Sequence, residues 1–205
     1  MRKHLASALL FVLDATVAIA ADSTATKGDV VPALQKGGYV LYLRHTQTNP
    51  DQADTDPFHL DNITAQRHLT DVGREQARTI GRSMKQLGLP VDKVLASKFY
   101  RAQETAKLLD IGEVQVVIDI TEGGLVVSPN ENKRRAAALR GLLSTAPPEG
   151  MNTVIVGHRP NLQDAAGKEF GDLCEGEIVV FRPLGGDEFS TVARIPFARW
   201  SEWGK

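Results

Sequence analysis

Apolar positions along this chain follow two rhythms. Short continuous runs of strand length fall at Tyr39–Leu43, Val91–Ala96, Val114–Ile118 and Thr153–Val156. Between them the spacing changes to three and four. Ala77, Ile80, Met84 and Leu87 form the stripe of a helix with one buried face. Thr70 is its expected N-cap, with Asp71 in the first turn to suit the helix dipole. Gly88 ends it, with Pro90 just beyond. Tyr100–Leu109 places Ala102, Ala106 and Leu109 on one face, and Lys133–Leu143 is a basic, Ala-rich helix bounded by Pro147-Pro148. Shorter helices are expected at Val30–Lys36 and Leu162–Lys168. Ile178–Arg182 and Thr191–Ile195 flank Gly185-Gly186 as a closing hairpin. Strands alternating with helices predict an α/β fold, a three-layer α/β/α sandwich with a mostly parallel central sheet and an antiparallel edge.

The N-terminus follows neither rhythm. Arg2 and Lys3 precede an apolar run, Leu5–Ala20, that closes on Ala18-Ile19-Ala20 before Ala21. This is the pattern of a cleavable secretory signal, residues 1–20, and implies a periplasmic or secreted protein. A spanning helix needs about 20 clean apolar residues, and Asp14 interrupts this run. No second apolar run of that length follows, so no stable membrane span is expected after cleavage. Asp22–Asp29 is small and polar, so residues 21–36 form a linker and N-terminal segment, and residues 37–205 form the domain. At 42% hydrophobic, a chain of 205 residues builds one domain with a real core. The formal net charge of −1 lacks the basic excess of a general nucleic-acid binder, so no nucleic-acid partner is expected. Any bound anion must be held by local arginines. Cys174 is the only cysteine, which excludes an intrachain disulfide; it is expected as a small core or edge residue.

In an open α/β sheet, ligands bind beyond the carboxyl ends of the strands. Three polar groups stand at such ends: Arg44-His45 after the first strand, Ser97–Arg101 after the second, and Gly157-His158-Arg159 after the fourth. If these strands are neighbours, two histidines and two or three arginines meet in one crevice with few acids among them. Guanidinium forks bind phosphate in bidentate fashion, so the expected guest is a small phosphorylated molecule. Each group alone is more often a salt bridge or a satisfied core histidine; their order and spacing carry the case.

Together these motifs resemble the histidine phosphatase (phosphoglycerate mutase-like) superfamily. Its Arg-His-Gly is matched by "LRHTQT", Leu43 to Thr48. Its Leu-Thr-x-x-Gly-x-x-Gln-Ala is matched by "LTDVGREQA", Leu69 to Ala77. Its Ser-x-x-x-Arg-Ala-x-x-Thr-Ala is matched in full by "SKFYRAQETA", Ser97 to Ala106, and its late Gly-His by "VIVGHRPNL", Val154 to Leu162. The resemblance spans Tyr39 to Leu162 and implies a compact exported member of phosphoglycerate mutase-like fold. It makes His45 the nucleophile that forms a phosphohistidine, with Arg44, Arg101 and His158 holding the phosphoryl oxygens. These cations serve in place of a metal, and no cofactor is implied.

A leaving alkoxide needs a proton. In the branch of mutases and small-molecule phosphatases the donor is a Glu after the third strand, which makes Glu122 the candidate general acid. The same Glu-Gly-Gly also makes a good solvated turn, and both readings stand. Arg159-Pro160 follows His158 where another branch carries an Asp. Thr46 replaces the family Gly, and its hydroxyl, with those of Thr48 and the Arg159 guanidinium, is a candidate phosphate contact. The polar loop Gln47–Arg67 and the segment Thr121–Asn132 are expected to set selectivity around an open site. His59 and His68 are read as solvent-facing or structural. These features predict an exported phosphomonoesterase. A mutase and a phosphohistidine-protein phosphatase are alternatives within the superfamily, and a catalytically silent phosphate-binding module is the alternative outside enzymes.

Overall fold

The computed structural model describes residues 26–123 and 126–204. The expected signal, residues 1–20, lies outside them. The first element is a helix, α1 (Lys27–Lys36), which begins within the segment expected to be linker and packs Val30, Val31 and Leu34 into the core. The strands are β1 (Val40–Arg44), β2 (Val91–Ser97), β3 (Val114–Val117), β4 (Asn152–Gly157), β5 (Ile178–Gly185) and β6 (Glu188–Ile195). The remaining helices are α2 (Asp71–Gln86), α3 (Tyr100–Leu109), α4 (Pro129–Ser144), α5 (Arg159–Ala166) and α6 (Phe197–Trp203).

The six strands form one sheet in the order β3-β2-β4-β1-β5-β6. The first four in that order are parallel; β5 joins β1 antiparallel and β6 joins β5 antiparallel, which is the expected mixed edge. Alternate residues of each strand face opposite sides. Leu41, Leu43, Val94, Ala96, Val154 and Val156 meet α1, α2, α3 and α6 on one side. Val40, Tyr42, Leu95 and Ile155 meet α4 and α5 on the other. Both faces are thus buried, which is why the central strands are continuous apolar runs rather than alternating ones.

Besides α1, which starts at Lys27 rather than Val30, three helices differ from the expectation. α4 begins at Pro129, four residues before Lys133, because the Ser128 hydroxyl accepts the Glu131 N–H as an N-cap and Pro129 suits the first turn. α5 begins at Arg159 rather than Leu162, since Pro160 also sits in a first turn, where its missing N–H has no cost. α6 was not expected. Seven residues are too few to show a period, yet Trp200 and Trp203 anchor it in the core. Cys174, expected in the core or at an edge, is exposed in the loop before β5.

Candidate active site

The sheet order puts β4 between β2 and β1, so the three strand ends singled out above are adjacent. Arg44 pairs with Gly157 and Ala96 with Val156, which sets Arg44, Ser97 and Gly157 at one level on the carboxyl edge. Beyond that level the chain turns His45 and His158 toward each other, with ring centroids 5.3 Å apart. Both rings are buried, and Arg101 beside them is only 1% exposed.

His45 is held in one tautomer. Its Nδ1 lies 2.9 Å from the Thr46 carbonyl oxygen. A carbonyl only accepts, so Nδ1 carries the proton and Nε2 keeps a free lone pair. Burial, and then the charge of Arg101, push the imidazole well below its ordinary pKa of 6.5. The ring is therefore neutral at neutral pH, which a nucleophile requires.

His158 is placed by Tyr42, whose hydroxyl donates to the His158 carbonyl at 2.9 Å and accepts its N–H at 2.8 Å. Gly157 has no side chain because a Cβ there would come within 2.2 Å of that hydroxyl. Ser97 Oγ and His158 Nε2 share a hydrogen bond of 2.5 Å. The other ring nitrogen, Nδ1, lies 3.4 Å from Glu122 Oε1 and is the atom left for a ligand. Burial, then Arg101 and His45, hold this imidazole well below 6.5 as well.

Arg101 is the hub. Its Nη1 donates to both oxygens of Asp54, at 3.0 and 3.1 Å, and its Nη2 donates to Glu122 at 2.8 Å. Its guanidinium carbon stands 4.1 Å from the centre of the Phe99 ring. Arg44 donates through Nη1 to the Leu173 carbonyl at 2.6 Å and lies 3.4 Å from Glu175. Among the described residues, six buried side-chain polar atoms have no hydrogen-bond partner, and three of them are nitrogens of this cluster: Arg44 Nε, Arg101 Nε and His158 Nδ1. Unpaired buried donors are uncommon and call for an explanation. A phosphoryl group brought into the cluster would supply acceptors.

The second motif locks the segment that follows His45. Thr70 N–H donates to the Gln47 carbonyl, and Gln76 Oε1 accepts the Gln47 N–H at 3.1 Å. Gly73 lets the first turn of α2 lie against that backbone, since a Cβ would stand 2.0 Å from the Gln47 oxygen. The third motif adds Thr105, whose hydroxyl accepts the Thr46 N–H at 3.2 Å.

The proposed phosphate contacts divide. Thr46 is fully buried with its hydroxyl 3.2 Å from Thr105, facing α3 rather than the histidines. Its φ is not positive, so a β-branched residue fits there without backbone strain. Thr48 donates its hydroxyl to Glu175 at 2.7 Å. Arg159 is exposed at the start of α5, near enough to bear on the charge of Arg44. His59 is exposed and bonded to Asp56, and His68 packs edge-on against Tyr100.

Three residues here were not singled out from the sequence: Asp54, Arg67 and Glu175. Glu175 accepts from Thr48, and Arg44 and Arg67 lie within 3.9 Å of it. The positive charge of Arg67 helps keep both imidazoles neutral. The "QRHLT" stretch, Gln66 to Thr70, offered a signal for Arg67, because it leads directly into the motif that clasps Gln47. No local pattern marked Asp54 or Glu175.

Two buried neutral histidines tie stability to pH. Their folded pKa values lie below the unfolded 6.5, so as pH falls through 6.5 the unfolded chain takes up protons first. Stability is full above that point and declines below it. Thermal melts are expected to show a lower midpoint at about pH 5 than at about pH 7.5, and the loss is expected to shrink when His45 and His158 are both replaced by Asn. An equal loss in that variant would assign the effect to other groups.

The architecture is a doubly covered α/β sheet with a histidine–arginine cluster at its carboxyl edge. Residues 40–123 match the histidine phosphatase superfamily (branch 1). The mitochondrial serine/threonine-protein phosphatase Pgam5 of Drosophila grimshawi is 40% identical over 75 residues, covering 37% of this chain and 23% of that protein. Its counterpart in Drosophila persimilis is 41% identical over 71 residues, covering 35% of this chain and 22% of that protein. The match thus spans less than a quarter of the length of these curated relatives. The solved structure of the protein histidine phosphatase SixA with tungstate shares the fold at a TM-score of 0.56 and 17% identity, over 78% of this chain and 97% of that one. The α-ribazole phosphatase of Shigella flexneri does so at 0.54 and 16%, over 78% and 96%.

Proposed function

We propose that this chain is an exported phosphomonoesterase that works without a metal, through a covalent phosphohistidine on His45. The observation that carries this reading is the single tautomer of His45, with its Nε2 lone pair free among Arg44, Arg101 and His158. In the first step Nε2 attacks phosphorus in line, the bond from phosphorus to the ester oxygen breaks, and Glu122 gives that oxygen a proton. In the second, the Glu122 carboxylate takes a proton from water as the water oxygen attacks phosphorus. Phosphate is released and His45 is restored. Arg44, Arg101 and His158 Nδ1 stabilise charge on the transferring group. The position of Glu122, on Arg101 and 3.4 Å from His158, supports the acid role over a solvated turn. Export rests on the pattern of residues 1–20 alone.

The reading is tested by hydrolysis of 4-nitrophenyl phosphate by the mature protein with a chelator present; activity that vanishes with the chelator would remove the metal-independent mechanism. Glu122→Gln tests the acid separately. An aryl leaving group departs with little protonation, whereas an alkyl one needs it. The variant is expected to lose on the order of a hundredfold in kcat on an alkyl phosphate and much less on the aryl one. Equal losses on both would take Glu122 out of the acid role.

A further inference from the structure

Beside the histidine–arginine cluster lies a cleft that the phosphoryl-binding groups leave unused. It runs between α4 and α5 and is lined by Glu122, Gly123, Asn132, Pro160, Asn161 and Asp164. Glu122 belongs to both, so the cleft begins where a leaving oxygen takes its proton. α5 sets Asn161 and Asp164 three residues apart, on one face of the helix.

The lining has a distinct chemistry. It holds two carboxylates and two carboxamides, and no lysine or arginine is among the six residues. Asn161 is 4% exposed, and its Oδ1 is buried without a hydrogen-bond partner among the described residues. A buried acceptor left unpaired is costly, and a hydroxyl brought into the cleft would supply a donor to it. Asp164, at the exposed rim, adds a second acceptor and a negative charge.

We infer that this cleft receives the alcohol part of the phosphate ester and selects an uncharged, hydroxyl-rich group, as in a polyol or sugar phosphate, over one that bears a carboxylate. The inference rests on the phosphomonoesterase reading. Hydroxyls donate to Asn161 Oδ1 and to the carboxylates, and they accept from the amide nitrogens of Asn132 and Asn161. A carboxylate brings acceptors only, and it meets the negative charge of Asp164 with no lysine or arginine among the six lining residues to offset it. A purely apolar group would leave Asn161 unpaired.

Glycerol 3-phosphate and 3-phosphoglycerate test this directly, because they differ only in a hydroxymethyl group against a carboxylate. Wild type is expected to favour glycerol 3-phosphate in kcat/KM by on the order of tenfold or more. Asp164→Asn, a change at an exposed position, is expected to move the ratio of the two toward unity by improving 3-phosphoglycerate. Asn161→Ala is expected to move it the same way by weakening glycerol 3-phosphate. The same two compounds are titrated by calorimetry into His45→Ala, where no turnover is needed, and the preference is expected to persist in Kd. Equal or reversed preference in both assays overturns the inference, as does a ratio unmoved by Asp164→Asn. A wild type that fails on 4-nitrophenyl phosphate while His45→Ala still binds glycerol 3-phosphate preferentially would remove the phosphatase reading and leave the selectivity of the cleft in place.

Discussion

His45→Ala is expected to lose about 10⁴-fold or more of the activity on 4-nitrophenyl phosphate and to trap no phosphohistidine. The reason lies in what each histidine has left to offer. His45 Nδ1 is committed to the Thr46 carbonyl, which leaves Nε2 as a lone pair. His158 has Nε2 tied to Ser97, and His59 and His68 stand outside the cluster. Among the described residues, no second imidazole presents a free Nε2 lone pair to the cluster. Alanine at a buried position also leaves a cavity, so circular dichroism and a melting curve accompany the assay. A folded His45→Ala protein that hydrolyses the aryl ester as fast as wild type would sink the proposed mechanism.

Arg101→Ala is expected to lower kcat/KM by on the order of a hundredfold or more, and to change its pH dependence as well. Arg101 carries out two tasks with one charge. Its fork stands where equatorial phosphoryl oxygens gather, and its field is the second cause, after burial, that keeps both imidazoles neutral. Removing it raises the pKa of His45, and the carboxylates of Asp54 and Glu122, freed from their partner, push in the same direction. The acid limb of the pH–rate profile is therefore expected to move to higher pH. Arg101→Lys is expected to restore that limb more fully than it restores the rate, because lysine returns the charge but not the planar fork. An unchanged limb in Arg101→Ala would leave Arg101 with an oxygen-binding role alone.

Much of the fold was legible locally. The strand cores, the Thr70 cap and the span of α3 follow from short-range period and capping chemistry, and those rules act within a few residues. Two of the helices that began earlier than expected, α4 and α5, have a proline in the first turn, where proline is a helix starter and not a stop. α6 escaped because two tryptophans hold it against residues far away in the chain. At the site, Arg44, His45, Arg101, Glu122 and His158 were readable because each stands at the carboxyl end of a strand or within a few residues of it. The structure gathers these five in one cluster, and it turns the hydroxyls of Thr46 and Thr48 to Thr105 and Glu175 instead.

The sequence by itself determined which side chains stand at the carboxyl ends of the strands, because strand ends and helix starts are set by nearby residues. It also carried the reason for each motif glycine, threonine and glutamine, once their neighbours were known. Only the tertiary structure decided that the three ends are adjacent, through a sheet order that places β4 between β1 and β2. It alone decided that Asp54 and Glu175 close around the arginines, that Thr46 looks away from the site, and that Asn161 lines a polar cleft. Those outcomes depend on contacts between segments as much as 131 residues apart, and no local rule of spacing or propensity reaches that far.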